Sequence, residues 1–320
     1  MSILITGGAG FLGIPLTKAL LDRGESVIIF DKVIDDSLFV GESKVKKVRG
    51  DITNWPEVLN VVKENRVHTI FHLAALLSAV SERNPWASIS VNALGTFYVL
   101  ESARLFGVRK VIFTSSMGVY GVDSGVEVTE ETVQKPRTIY GVTKVFGELL
   151  GLYYHRKFGI DFRGVRFPQL IGPGVRTMGF AQYTAWVIEA AIRGEPFEVW
   201  VPEDTVIPLM YIKDAIRSLI MLNDVPEEKI KTRIYNLGQI MPPPTAKQLV
   251  ETVKKYFPQA QITFKPDPLA LDVLKTIPKI IRGDKAEEEW GWRIEYSLDS
   301  AVRDFIEEYK KKYSLGTQQF

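Results

Sequence analysis

The N-terminal half of the chain alternates short apolar runs with amphipathic stretches. Ser2–Thr6 and residues 27–30, 69–73 and 111–114 are apolar with little polar alternation, and 45–48 leads into Gly50-Asp51. Runs of this kind are what strands covered on both faces require. Between them, Gly13–Asp22, Trp55–Glu64 and residues 92–106 and 140–158 carry helical spacing. Such alternation predicts βαβ units around a parallel sheet. Right-handed crossovers then leave a ligand crevice at the carboxyl ends of the strands.

The second half is less regular. Residues 166–174 read as a loop, 180–193 as a helix ending at Gly194, and 210–222 as another helix. Residues 234–237 read as a late strand returning to the sheet. After Pro242-Pro243-Pro244, Thr245 is placed to cap a helix over 245–257, and 299–312 forms a last charged helix. The expected organisation is α/β: a Rossmann-type doubly wound parallel sheet with a smaller C-terminal substrate-binding domain. The sheet domain takes residues 1–165 plus about 206–240, the small domain 166–205 and 241–313, and residues 314–320 a frayed tail.

Composition narrows the class. A chain of 320 residues has room for roughly two structural units. Forty Lys and Arg against 38 Asp and Glu leave a net charge of +2, which excludes a polybasic nucleic-acid binder. The absence of cysteine excludes disulfide scaffolds, thiolate metal sites and cysteine nucleophiles. His68, His72 and His155 are too scattered for a histidine metal site, so no metal is expected. No basic, apolar leader opens the chain, and no apolar stretch approaches 18 residues. A cytoplasmic protein with no membrane or nucleic-acid partner is therefore expected.

The first apolar run ends in Gly7-Gly8-Ala9-Gly10-Phe11-Leu12-Gly13, a Gly-x-x-Gly-x-x-Gly spacing between a strand and a helix. Glycines there permit a tight turn, close backbone approach to a pyrophosphate and close helix–strand packing. The anion would meet unsatisfied amides at the helix N-terminus. Asp31 closes the second run, where a carboxylate accepts hydrogen bonds from both hydroxyls of an adenosine ribose. It would repel a 2′-phosphate, which favours NAD over NADP. Lys32 beside it is a basic neighbour able to receive that phosphate, and Asp51 is a second candidate, within reach of the adenine amino group.

Tyr140 and Lys144 lie four apart on a predicted helix and so share a face. A phenol with a reference pKa of about 10 is a poor base at neutral pH. A nearby ammonium, or a positive nicotinamide ring, would lower that value. The pair could then take a hydroxyl proton while hydride leaves the same carbon. Ser115 and Ser116, just past the fifth run, stand where a doubly wound sheet places its ligand, and either could hold the reacting oxygen.

Together these residues resemble the extended short-chain dehydrogenase/reductases, also called the NAD-dependent epimerase/dehydratase family. The resemblance spans nearly the whole chain. It includes Gly50-Asp51-Ile52, His72-Leu73-Ala74-Ala75, Asn92 before Gly95-Thr96, the segment from Thr114 to Gly121, and Met210-Tyr211-Ile212-Lys213-Asp214-Ala215. By position it implies Ser116, Tyr140 and Lys144 as the catalytic triad. It implies cofactor contacts from Gly7, Gly10, Phe11, Leu12, Asp31, Lys32, Asp51, Ile52, Leu73, Ala74, Ala75, Asn92, Thr114, Ser115 and Phe167, along with Tyr140 and Lys144. It implies a homodimer formed by the helices over 92–106 and 140–158.

Within the family the chain is similar to the short-chain type of L-threonine 3-dehydrogenase, in Leu73–Ala79, Pro136-Arg137-Thr138, Glu148-Leu149-Leu150, Pro202–Thr205 and Glu289–Trp292. That likeness places Ser78, Ser116, Gln169, Phe180 and Gln182 at the substrate. Two departures matter. The Gly-Thr-Thr-Asp-Tyr run of that group stands here as Gly179-Phe180-Ala181-Gln182-Tyr183, and its Trp before Pro is Ile277 before Pro278. Sugar-nucleotide enzymes place an arginine for the substrate diphosphate near the position of Val206 and Ile207. Three functions follow: a dehydrogenase acting on a small secondary alcohol such as threonine, another hydroxy acid or a polyol; a nucleotide-sugar epimerase or dehydratase holding NAD; and a non-catalytic dinucleotide sensor.

Overall fold

The computed structural model describes residues 2–121 and 123–314. The first half holds β1 (Ser2–Thr6), α1 (Gly13–Asp22), β2 (Val27–Asp31), β3 (Val45–Arg49), α2 (Trp55–Glu64), β4 (Val67–His72), α3 (Ser78–Arg83) and α4 (Pro85–Ser88). A π-helical turn over Ile89–Leu94 leads into α5 (Gly95–Leu105), followed by β5 (Lys110–Ser116), β6 (Glu127–Val128), α6 (Ile139–Phe158) and β7 (Asp161–Phe167).

Seven strands form one parallel sheet in the order β3, β2, β1, β4, β5, β7 and a last strand, β11 (Ile234–Asn236). The chain winds outward from β1 to β3, then crosses back to lay β4 on the other side of β1. That reversal opens a crevice beyond the carboxyl ends of β1 and β4. Alternation is missing from the central strands because both faces are covered. Ile3 and Ile5 belong to the core that holds Leu16 and Leu20 of α1, while Leu4 belongs to the core that holds Val58 and Val62 of α2. Edge strand β3 carries Lys46, Lys47 and Arg49 and is only partly buried.

The rest of the chain holds β8 (Gln169–Ile171), α7 (Tyr183–Arg193), β9 (Phe197–Val199), β10 (Leu209–Tyr211), α8 (Ile212–Asp224), α9 (Ala246–Tyr256), β12 (Ile262–Phe264), α10 (Pro268–Leu274), β13 (Ile280–Ile281), α11 (Asp284–Trp290) and α12 (Leu298–Ser314). Three two-stranded parallel pairs tie it together: β8 with β10, β9 with β12, and β6 with β13.

Several boundaries differ from the sequence reading. Residues 166–174 are not simply a loop: Arg166 and Phe167 end β7, and Gln169–Ile171 is β8. Strand β7 carries Asp161, Arg163 and Arg166, a polar pattern that reads as exposed, yet all its residues are buried. Arg163 pairs with Asp161 at 2.6 Å, and Arg166 pairs with Glu148 at 2.7 Å, so each charge is matched in the interior. Residues 210–222 are not one helix, because Leu209–Tyr211 pairs with β8 before α8 begins. The helix expected over 180–193 starts at Tyr183, and the first turns of that over 92–106 are π-helical.

Thr138 caps α6 by accepting from the Gly141 amide at 3.2 Å, and Gly159, in the left-handed region, ends it. Thr245 caps α9 as expected, in a reciprocal pair with Gln248. The expected tail lies outside the described residues except for Ser314, which ends α12. Among the described residues no helix is long and apolar enough to cross a membrane.

Candidate active site

The glycine turn connects β1 to α1. The Gly7 amide donates to the Phe30 carbonyl at 2.9 Å and the Gly10 amide to the Gly7 carbonyl at 3.0 Å. Gly7 has φ +71°, and a Cβ there would lie 2.9 Å from the Ala74 amide nitrogen. A Cβ on Gly13 would lie 2.4 Å from the Gly7 carbonyl oxygen. Only glycine closes this turn onto both the helix and the loop after β4. No side chain caps α1; the Ile14 amide donates to the Gly10 carbonyl at 3.1 Å and Pro15 has no N–H, so the amides of Phe11, Leu12 and Gly13 are the ones left for an anion.

Asp31 ends β2 beside the turn and accepts from the Ala9 amide at 3.1 Å. Lys32 is turned away to Asp51, at 2.7 Å. Burial works against the Asp51 carboxylate, but Lys32 and Thr53 outweigh it and hold the carboxyl below its ordinary value. Ile52 is buried and packs where a Cβ on Gly95 would sit, 2.9 Å away. This backbone cradle with a ribose-height carboxylate fits a dinucleotide.

The loop after β4 is held from behind. Asn92 accepts from the Leu76 amide at 2.8 Å and donates to the Leu76 carbonyl at 3.0 Å and to Thr143 at 3.2 Å. Its amide is thus committed to shaping Leu73, Ala74 and Ala75, and it stands behind that loop rather than in the cavity. His72 lies beneath. Burial, helped by the Lys144 charge, pushes its imidazole down to about 3, so it is neutral. Thr96 donates to the Asn92 carbonyl at 2.6 Å. His72 Nε2 therefore donates to Thr96 Oγ1 (2.9 Å), and Nδ1 accepts from Thr6 Oγ1 (2.7 Å).

Past the carboxyl ends of β1, β4 and β5 a single cavity is lined by Phe11 and Leu12 from the glycine turn, Leu73 and Ala75, Thr114 and Ser116, Tyr140 and Lys144, and Phe167. Ser78, Gln169, Phe180 and Gln182 line its other end. Gly7, Gly10, Asp31, Asp51 and Ile52 lie outside this cavity, on the far side of Phe11 and Leu12 where the adenosine half of a dinucleotide would extend.

The two serines divide their work. Ser115 turns into the protein and donates to Glu148 at 2.5 Å. Ser116 accepts from the Gly118 amide at 3.1 Å, and its Oγ and the Tyr140 ring flank Gly118 together, each about 3.5 Å from where a Cβ would stand. Tyr140, Lys144 and Glu148 succeed one another at intervals of four along α6, so one helix face carries phenol, ammonium and carboxylate. Lys144 Nζ donates to the Thr114 carbonyl at 2.7 Å and lies 5.6 Å from the Tyr140 ring centre.

Burial pushes the Tyr140 phenol up to about 12, with the Ser116 hydroxyl pulling the other way. Burial also brings Lys144 down to about 8, opposed by Glu148. The sequence reading expected the ammonium to lower the phenol. In the chain alone desolvation wins, because Lys144 is directed to a backbone oxygen.

Sequence reasoning noted Glu148 only as part of a resemblance and gave neither it nor its buried partners a role. Arg166 donates to both Glu148 oxygens (2.9 and 2.7 Å) and to the Tyr120 hydroxyl (2.7 Å), and Gln134 joins at 2.6 Å. The available signal was a carboxylate one turn beyond Lys144. Arg137, Leu274 and Ile277 also line the cavity; the last two reach it from far along the chain, Ile277 at the position where the related group has its Trp before Pro.

Known proteins resemble this chain in sequence and in fold. The pattern of the NAD dependent epimerase/dehydratase family matches residues 3–238. The mitochondrial L-threonine 3-dehydrogenase of Bos taurus is 32% identical over 309 residues, covering 95% of this chain and 81% of that protein. A GalE-like L-threonine dehydrogenase from Cupriavidus necator, solved in its holo form, superposes with a TM-score of 0.87 at 31% identity, covering 96% of this chain and 99% of that one. A UDP-glucose 4-epimerase from Thermotoga maritima, solved with UDP-glucose, superposes with a TM-score of 0.86 at 25% identity, covering 98% and 100%. With the glycine turn, the Ser116–Tyr140–Lys144 cavity and these likenesses agreeing, the chain belongs to the NAD-dependent epimerase/dehydratase family.

Proposed function

We propose that this protein is a dehydrogenase that oxidises a secondary alcohol of a small polar substrate with NAD as acceptor. The observation that carries this reading is the meeting of Ser116, Tyr140 and Lys144 in one cavity with Phe11 and Leu12 of the glycine turn. NAD, when bound, supplies a hydride acceptor. The chain's own groups handle the proton. Ser116 Oγ holds the substrate oxygen beside Tyr140, and the phenolic oxygen takes the hydroxyl proton as the carbonyl forms. Lys144 keeps a positive charge behind the phenol, and Glu148 keeps that charge on Lys144. Oxidation needs the phenolate, and a bound nicotinamide cation adds the positive charge that the buried phenol lacks in the chain alone.

Asp31 supports NAD over NADP. Lys32, the group that would welcome a 2′-phosphate, is paired with Asp51. A homodimer is supported by Val142, Phe146, Leu149 and Tyr153, an exposed stripe along α6, beside exposed Leu94, Phe97 and Leu105 on the neighbouring π turn and α5. A nucleotide-sugar epimerase is the second reading, favoured by the likeness to the Thermotoga enzyme. Against it, Lys144 and Arg137 are the only cationic side chains lining the cavity among the described residues, whereas a diphosphate calls for a cluster.

The test is a screen of the purified protein with NAD against L-threonine, other hydroxy acids, polyols and nucleotide sugars, followed at 340 nm as the absorbance of NADH. Steady NADH from a simple alcohol supports the dehydrogenase. Conversion of a nucleotide sugar without net NADH supports the epimerase and ends the first reading.

A further inference from the structure

The substrate end of the cavity contains no acidic side chain among the described residues. Asp272, next in the chain to lining residue Val273, is held by Arg137 at 2.6 Å and Lys275 at 3.0 Å. Arg137, itself a lining residue, spends only Nη2 on that pair, leaving Nε and Nη1 uncommitted. Lys144 is the other lining cation. Gln182 also lines the cavity; it is 3% exposed, and its side-chain amide has no hydrogen-bond partner among the described residues. Its Oε1 and the Ser78 hydroxyl converge on Gly179, 3.2 and 3.9 Å from where a Cβ would stand. Phe180, Leu274 and Ile277 complete an apolar wall.

Each charge state of a small substrate meets this site differently. An ammonium brought in would lose its water, find no carboxylate and face two cations. A carboxylate would find the open nitrogens of Arg137. A hydroxyl would find the uncommitted amide and hydroxyl of Gln182 and Ser78. We propose that the cavity takes a small hydroxy acid without an amino group, its carboxylate at Arg137 and its reacting hydroxyl at Tyr140 and Ser116. The α-substituent, hydroxyl or methyl in place of an ammonium, lies against Gln182, Ser78 and the apolar wall. The proposal rests on the dehydrogenase reading above. In it the carbinol C–H and O–H bonds break, two electrons and a hydrogen pass to NAD, the proton passes to Tyr140, and a ketone remains.

The experiment compares L-threonine with 2,3-dihydroxybutyrate and 3-hydroxy-2-methylbutyrate, which place a hydroxyl or a methyl where threonine has its ammonium. The expected result is a kcat/KM for the better amino-free acid roughly 100-fold or more above that for threonine. Arg137→Gln is expected to raise KM for that acid about tenfold or more while lowering kcat far less. In the Tyr140→Phe variant with NAD bound, the amino-free acid raises Tm and threonine at equal concentration does not. Threonine oxidised as well as either analogue overturns the substrate class and leaves the dehydrogenase standing. Silence from both amino-free acids also overturns it. If a nucleotide sugar is then converted without net NADH, the dehydrogenase reading falls with it.

Discussion

At the glycine turn the ligand-facing groups are backbone amides and one carboxylate, all drawn from β1, α1 and the end of β2. At the other end of the crevice they are side chains from α3, β8, the segment before α7, and α10, brought together from distant parts of the chain. The first end is backbone in a tight turn, where a Cβ on Gly7 or Gly13 would strike neighbouring backbone, so it tolerates little change. The second end meets a substrate that differs between relatives, and it is made of exchangeable side chains on loops and short elements. One scaffold therefore serves dehydrogenases and epimerases alike, and function is read from the second end.

The largest expected effect falls between the two ends. Tyr140→Phe removes the proton acceptor and leaves both ends intact. Turnover should fall about 10³-fold or more, with NAD affinity by fluorescence titration nearly unchanged. Retained turnover would remove Tyr140 from the chemistry. Next is Glu148→Gln, which leaves the Arg166 guanidinium buried without its carboxylate. Urea unfolding should show a loss of about 3–5 kcal/mol, and a loss below about 1 kcal/mol would mean that the network is not holding α6 to β7.

Gly13→Ala should separate the ends. The added methyl strikes the Gly7 carbonyl, so NAD affinity should fall roughly tenfold or more, at a cost of about 1–3 kcal/mol. A wild-type NAD affinity would show that the turn adapts. Asp31→Ala is smaller: NAD should weaken by about tenfold while NADP changes little, and an unchanged ratio of the two affinities would contradict the ribose assignment. Smallest per step is pH. With the phenol pushed up to about 12, the basic form is the minority at neutral pH. Alcohol oxidation should therefore rise from pH 7 to 9 while ketone reduction, served by the protonated majority, stays nearly flat over the same window; an oxidation rate that does not rise would place the titration elsewhere.

Legibility followed the same divide. Ser2–Thr6, the glycine turn and Asp31 were readable because a buried parallel strand needs continuous apolar residues and a phosphate turn needs glycine at fixed spacing. Tyr140 and Lys144 were readable as a helix pair. Strand β7 was not, because its Asp161, Arg163 and Arg166 read as surface charge until Glu148, Arg166 and Tyr120 are seen to satisfy one another inside the protein. Asn92 was assigned to the cofactor, and its amide is found clamping Leu76. Neither serine could be chosen from spacing alone. The fold places Ser116 at the phenol and Ser115 at the buried carboxylate.

The amino-acid sequence by itself determined the parallel sheet, the dinucleotide turn and the phenol–lysine pair, because each depends on residue type at short, regular separation. Only the tertiary structure decided how high burial holds the phenol, which carboxylate supports the lysine, and that the substrate end presents Gln182 and Arg137 without an acid. Desolvation and charge balance are sums over neighbours brought from distant parts of the chain, and no local pattern records them.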